Sequence, residues 1–293
     1  MINSINQIPT ISDYLNIPAH SLRKRGGSRL INVSNRSPNN PLVSVITIVR
    51  NRKDTLPQTI ESITAQTYQN IEYIIIDGFS TDGTSEVIRQ FDDKISIWIS
   101  EPDKGTADAY NKGLSLASGD FIFWLCSDDW IEPGFIASAV NFLRDSRAEF
   151  VYGDLSLYKK GKPVRLCRGN KDYTKSLLSG YPRINFTTMV IKRECFQEFG
   201  LIDTSYKFFN DYELALRFHL NGARGIYNNS LMVHKRIGGM GESLSLESIS
   251  EFLRLLRQYR LPKTKALTNY LYFLVRGRIG KFCNKLSRKE VKL

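Results

Sequence analysis

Phe121-Ile-Phe-Trp-Leu-Cys-Ser-Asp-Asp129 runs six apolar residues straight into two adjacent carboxylates. An apolar run without alternation predicts a strand buried on both faces, as in a parallel sheet covered by helices on either side. Working outward, the same texture recurs at Val43–Val49, Glu72–Asp77 and Ile95–Ser100. Helical spacings lie between these runs. Leu56, Ile60 and Ile63 follow Thr55-Leu-Pro-Gln58, which reads as a capping box with an early proline. Val87, Ile88 and Phe91 mark a second helix and Tyr110, Leu114 and Ala117 a third; Ile136, Val140 and Leu143 after Pro133 mark a fourth. This alternation predicts an α/β fold: a Rossmann-like, mainly parallel sheet with helices on both faces. Beyond Phe150 the pattern loosens into short strands at Phe150–Leu155, Thr187–Lys192 and Gly225–Val233, with a helix over Asp211–Asn221.

Sheets of this kind bind ligands outside the carboxyl ends of their strands. Three polar clusters stand at those ends: Asp77-Gly-Phe-Ser-Thr-Asp82, Glu101-Pro-Asp103-Lys104-Gly105 and Ser127-Asp128-Asp129. Asp82, just before a helix, reads as a cap. Asp77 is either a turn former or a ligand contact. Asp128 and Asp129 are harder to explain structurally, because neighbouring carboxylates at a buried strand end repel and raise each other's pKa. Mg2+ or Mn2+, held by one or two carboxylates and completed by phosphate oxygens, would relieve that repulsion and neutralise a departing diphosphate. The acid pair therefore implies cation and phosphate together.

The net charge of +12 is unevenly placed. Residues 1–40 carry +4 and residues 254–293 carry +11, which leaves −3 for the body between them. A mildly acidic body with basic ends argues against a nucleic-acid partner. Cys126, Cys167, Cys195 and Cys283, with His20, His219 and His234, are scattered; no zinc site or disulfide framework is expected, and a reducing cytoplasm is the expected location. The first residues lack a basic region followed by an apolar run, so no secretory signal is expected. Residues 1–40, broken by Pro9, Pro18 and Pro38, read as a loosely ordered extension with a short strand at Arg29–Ser34. The segment from about Ser248 onward alternates apolar and basic residues. It reads either as an amphipathic helix on an anionic membrane or as a helix packed on the body.

The runs Asp77–Thr84, Glu101-Pro-Asp-Lys-Gly-Thr-Ala-Asp-Ala-Tyr-Asn-Lys-Gly113 and Ser127–Asp129 resemble, in order and spacing, the motifs of inverting family 2 glycosyltransferases with a GT-A fold. The resemblance implies a GT-A domain over 41–240, with its nucleotide-binding part about 41–130 and its acceptor side about 131–240. Residues 1–40 would be a polar basic extension and 241–293 a basic helical tail. It implies a nucleotide-sugar donor, usually UDP-linked, and a saccharide or lipid-linked acceptor at the inner face of the cytoplasmic membrane. By the same resemblance Asp77 contacts the base, Asp128 and Asp129 hold ribose and metal-bound diphosphate, and Arg50, Lys104 and Asp108 lie on the nucleotide side. Asp211, in Phe209-Asn-Asp-Tyr-Glu213, matches the catalytic base. His234 is a candidate metal ligand, and Arg236 is placed on the diphosphate beside Gly238-Gly239. The chain departs from the pattern at Gly78, where a second aspartate is common, at Cys126, where a DxD triplet would begin, at Asn210, where Glu is frequent, and at Tyr110 in place of an Arg. A sugar nucleotidyltransferase or a dinucleotide oxidoreductase would need a Gly-rich loop after the first strand, and Val49-Arg-Asn-Arg-Lys53 has no glycine. A non-catalytic polysaccharide or nucleic-acid binder is the remaining rival.

Overall fold

The computed structural model of the chain describes residues 8–15, 20–28, 37, 39–179, 184–237, 245–262 and 268. Four β-branched or aromatic runs form the parallel heart of the sheet: β2 (Val43–Val49), β3 (Ile71–Asp77), β4 (Ile97–Ser100) and β5 (Phe121–Trp124), after a short β1 (Lys24–Gly26). The sheet then continues through β6 (Trp130–Ile131), β7 (Phe150–Lys159), β8 (Lys162–Cys167), β9 (Val190–Lys192) and β10 (Gly225–Arg236). Its order is β1-β4-β3-β2-β5-β9-β7-β10-β6, with β8 off this path and paired to β7. β9 and β6 enter antiparallel, and β10 lies parallel to β7.

The helices are α1 (Ile11–Leu15), α2 (Leu56–Thr64), α3 (Thr84–Gln90), α4 (Thr106–Leu116), α5 (Phe135–Asp145), α6 (Tyr173–Leu178), α7 (Arg193–Phe199), α8 (Asn210–Leu220) and α9 (Leu246–Gln258). Alternate strand residues feed two cores. Val45, Tyr73, Ile75 and Phe123 pack under α2, α3 and α5. Ile46, Ile74, Ile76 and Ile122 pack under α4 and α6 to α9. Each such side chain, when fully buried, contributes about 1.5–3 kcal/mol. Gly113 lets α4 sit directly on β2, since a Cβ there would lie 2.5 Å from Ile46 Cγ2. The α/β sheet with helices on both faces is the architecture expected from the sequence, and β2, flanked by β3 and β5, is its switch point.

Two local expectations come out differently, and a third settles on one of its two readings. Thr55 does not cap α2; its hydroxyl donates to the Ser127 carbonyl at 2.9 Å, because the acid loop after β5 offers an acceptor there. Parts of the extension are ordered against the body. β1 adds antiparallel to the edge of β4, and Arg23 forks onto Glu101 at 2.6 and 3.1 Å. Burial pushes the Glu101 carboxyl up, but hydrogen bonds from Arg23 and Lys112 bring it down to about 2. The expected strand at 29–34 lies outside the described residues. Likewise the start of the tail belongs to the body: α9 buries Phe252, Leu255 and Leu256 in the core, and Arg254 stacks on Tyr206 at 4.2 Å. Residues 263–267 and 269–293 lie outside the described part. Among the described residues no helix is long and apolar enough to cross a membrane.

Candidate active site

β5 stops at Trp124, and the chain turns at once, the Asp129 amide donating to the Cys126 carbonyl at 3.0 Å. Two threonines of the first helix turns hold this loop: Thr55 on the Ser127 carbonyl, and Thr59 on the Asp129 carbonyl at 2.7 Å. The loop is thereby fixed with the Asp129 side chain inward. Asp129 has no exposed surface, and neither carboxylate oxygen has a hydrogen-bond partner among the described residues. Burial raises its pKa to about 7; the nearby Lys235 charge opposes this, and Asp128 adds to it. A carboxylate buried with bare oxygens costs several kcal/mol unless a cation or proton joins it. Asp128 is partly exposed beside it, with Arg52 Nε 4.0 Å from Oδ2.

Asp211 occupies the second position of α8, its Oδ1 accepting from the Tyr212 amide at 2.7 Å. Desolvation by the surrounding protein raises its pKa to about 6 against the pull of that amide and of Lys235. The side chain is still exposed, so water and substrate can reach it. Lys235 joins the two halves of the site. Its charge is felt by Cys126, Asp129, Asp128 and Asp211 together, and those groups outweigh burial to raise its pKa. No acid lies within ion-pair distance of it among the described residues. Arg236 closes the rim, donating to the Asp128 carbonyl at 2.6 Å and to Gln58, with its guanidinium 4.9 Å over Trp130.

The structure brings Asp128, Asp129, Asp211 and Arg236 together and places other candidates elsewhere. His234 is not grouped with the acids, and among the described residues no three His, Cys, Asp or Glu form a metal-holding set. Successive strand residues face opposite sides, so as Lys235 points to the acids, His234 turns to Trp130, stacked at 5.2 Å, and to Glu132 at 2.8 Å. Asp77 is fully buried and accepts from Ser80, Ser85 and Ser100. Asp108 serves the fold too: it accepts from Tyr14 at 2.9 Å and from the Lys104 amide at 3.0 Å. Arg50 and Lys104 are exposed at the strand ends. Asp103, unassigned from sequence, fills the space beside Arg50 that Gly78 leaves. A Cβ on Gly78 would lie 2.2 Å from Asp103 Oδ2 and 3.5 Å from Arg50 Cδ. Lys235 was also missed; the one available signal was its place next to His234 at the end of a strand.

Glu251 of α9 positions the helix that carries Asp211. Its carboxylate accepts from the amides of Lys207, Phe208 and Phe209 at 2.9, 2.7 and 2.8 Å, just ahead of α8. Glu251→Gln leaves at least one of these amides weakly paired, at a cost of about 1–3 kcal/mol. It is expected to lower Tm and to reduce turnover more than nucleotide affinity. A melt, a nucleotide titration and a turnover assay check this, and equal losses of turnover and affinity would show a merely structural contact.

A mainly parallel sheet covered by helices on both faces, continued by antiparallel strands, is the GT-A architecture. The chain belongs to glycosyl transferase family 2, whose pattern matches residues 44–201. It is 27% identical over 257 residues to an uncharacterised glycosyltransferase of Rickettsia typhi, covering 84% of this chain and 79% of that one. It is 29% identical over 226 residues to the Escherichia coli UDP-Glc:alpha-D-GlcNAc-diphosphoundecaprenol beta-1,3-glucosyltransferase WfaP, covering 76% and 86%. Among solved structures, S. aureus TarS 1–349 in complex with UDP-GlcNAc superposes with a TM-score of 0.59 at 17% identity, over 74% of this chain and 66% of that one.

Proposed function

We propose that the protein transfers a sugar from a nucleotide diphosphate, UDP-linked as in the relative WfaP, to a hydroxyl of a saccharide or lipid-linked acceptor, with inversion. The observation that carries this reading is the buried Asp129 carboxylate with two bare oxygens, sharing a crevice with Asp211 and Lys235. Asp129 and Asp128 fit a divalent ion such as Mn2+ or Mg2+, since two carboxylates plus diphosphate oxygens and water complete a coordination shell. Such an ion would supply electrostatic stabilisation of the leaving diphosphate. Lys235 and Arg236 add positive charge on the same oxygens. Asp211 accepts the proton of the attacking hydroxyl. Arg50 and Asp103, flanking Gly78, are placed to join Asp77 at the base. A surface-polysaccharide route at the inner face of the cytoplasmic membrane, with the basic residues of 263–293 on anionic lipid, completes the reading.

Calorimetry of UDP with and without Mn2+ tests it. Tight uptake is expected only with the cation, and Asp129→Asn is expected to weaken it at least about tenfold, the loss of one charge-assisted contact. Cation-independent uptake, unchanged in Asp129→Asn, would remove the basis of the proposal. A screen of nucleotide-sugar hydrolysis then identifies the donor.

A further inference from the structure

The β7–β8 hairpin concentrates charge that the rest of the body lacks. Residues 159–168 hold Lys159, Lys160, Lys162, Arg165 and Arg168 and no acid, a net of +5. The whole of 41–253 sums to −3, so the body outside this hairpin carries −8. All five cations are exposed, and none is ion-paired among the described residues. Two apolar side chains share the strand with them, Val164 at 53% and Leu166 at 46% exposure. Register pairs Leu157 with Arg165 and Tyr158 with Pro163, so Val164 is the extra residue of a bulge. Among the described residues β8 has no second neighbour in the sheet. A lysine and a proline on such an edge guard against strand addition. That explains Lys162 and Pro163; it does not explain exposed Val164 and Leu166 among five cations.

The hairpin also stands at the working end of the sheet. β7 runs parallel to β10, with Leu157 opposite Lys235 and Tyr158 opposite Arg236. The Ile237 amide donates to the Tyr158 carbonyl at 2.9 Å, and Ile237 is itself 37% exposed. The turn at Lys160-Gly161 therefore projects from the edge where Arg236 holds the Asp128 loop. A protruding element with unpaired cations around apolar tips is complementary to a negatively charged lipid surface. Such a surface attracts cations within a Debye length and accepts apolar side chains at the headgroup boundary.

We infer that the β7–β8 hairpin docks on an anionic phospholipid bilayer and sets the acid crevice against its surface. This contact is separate from any made by residues 263–293, and measuring it requires no turnover. The test is sedimentation of the full chain with vesicles of phosphatidylcholine alone or mixed with phosphatidylglycerol. Each cation at such a surface is worth roughly a factor of five, so K160Q/K162Q/R165Q is expected to bind mixed vesicles on the order of a hundredfold more weakly. V164S/L166S is expected to lose the part of binding that survives high salt. Both are expected to hydrolyse nucleotide sugar at the wild-type rate without vesicles, which confirms their fold. Binding by the triple variant equal to wild type would overturn the inference and assign the membrane to another segment. As an independent readout, a tryptophan from Val164→Trp is expected to be quenched by brominated acyl chains; no quenching would overturn the inference equally. Loss of dextran sulfate binding in the triple variant with vesicle binding intact would assign the patch to an anionic glycan instead.

Discussion

Replacing Asp211 by Asn is expected to cut donor turnover by about 10²–10⁴-fold, the range for removing a general base. The fold should not suffer. Asn keeps the shape and can still accept from the Tyr212 amide. The charge itself burdens the folded chain. Crowding raises the Asp211 pKa from its ordinary 3.8 to about 6, so folding favours its protonated form. The penalty appears as pH climbs past 3.8 and is complete above about 6. Asp211→Asn removes it, so the variant is expected to melt above wild type at neutral pH and to lose that advantage near pH 4. Wild-type turnover should follow the same ionisation with opposite consequence, rising as pH passes about 6 and levelling beyond. Melts and rate–pH profiles of the two proteins check both signs. An inactive variant that is also destabilised would mean that Asp211 holds structure and is not the base.

The second large effect falls on stability. Arg217 is 4% exposed and Glu213 fully buried, and the guanidinium grips the carboxylate with two bonds of 2.8 and 3.1 Å. Its remaining donors reach the carbonyls of Phe199, Gly200 and Leu201, which ties the end of α7 to α8. Tyr259, just past α9, adds a bond to Glu213 at 2.5 Å. Three helices around Asp211 thus meet at one buried pair. Removing one partner leaves the other charge buried and alone, at a cost of about 3–5 kcal/mol. Arg217→Met is therefore expected to lower Tm on the order of ten degrees in a chain of this size. Glu213→Leu with Arg217→Met should recover much of the loss, because the penalty comes from the orphaned charge. Urea melts of the single and double variants decide this. A single-variant loss under about 1 kcal/mol would mean that water reaches the pair.

The candidate active-site residues divide by how far away their partners lie. Ile74, Ile75 and Ile76 declare a two-faced buried strand by themselves, and Phe121–Trp124 followed by Asp128 and Asp129 declares a site at the carboxyl edge. Asp211 at the head of a helix was legible in the same way. His234 and Lys235 were not separable: neighbours in sequence, they are assigned to opposite faces only by the pairing of β10 with β7 and β6. The duty of Asp77 depends on Ser100, that of Asp108 on Tyr14, and that of Glu101 on Arg23, each far along the chain.

What the sequence determined alone was the α/β architecture and the edge of the sheet that carries acid, because strand and helix periodicities are written within windows of a few residues. Only the tertiary structure decided which acids stay bare and which are taken by serines, tyrosine or arginine. A carboxylate's partners are chosen by strand order and register, which bring Tyr14 to Asp108 across 94 positions.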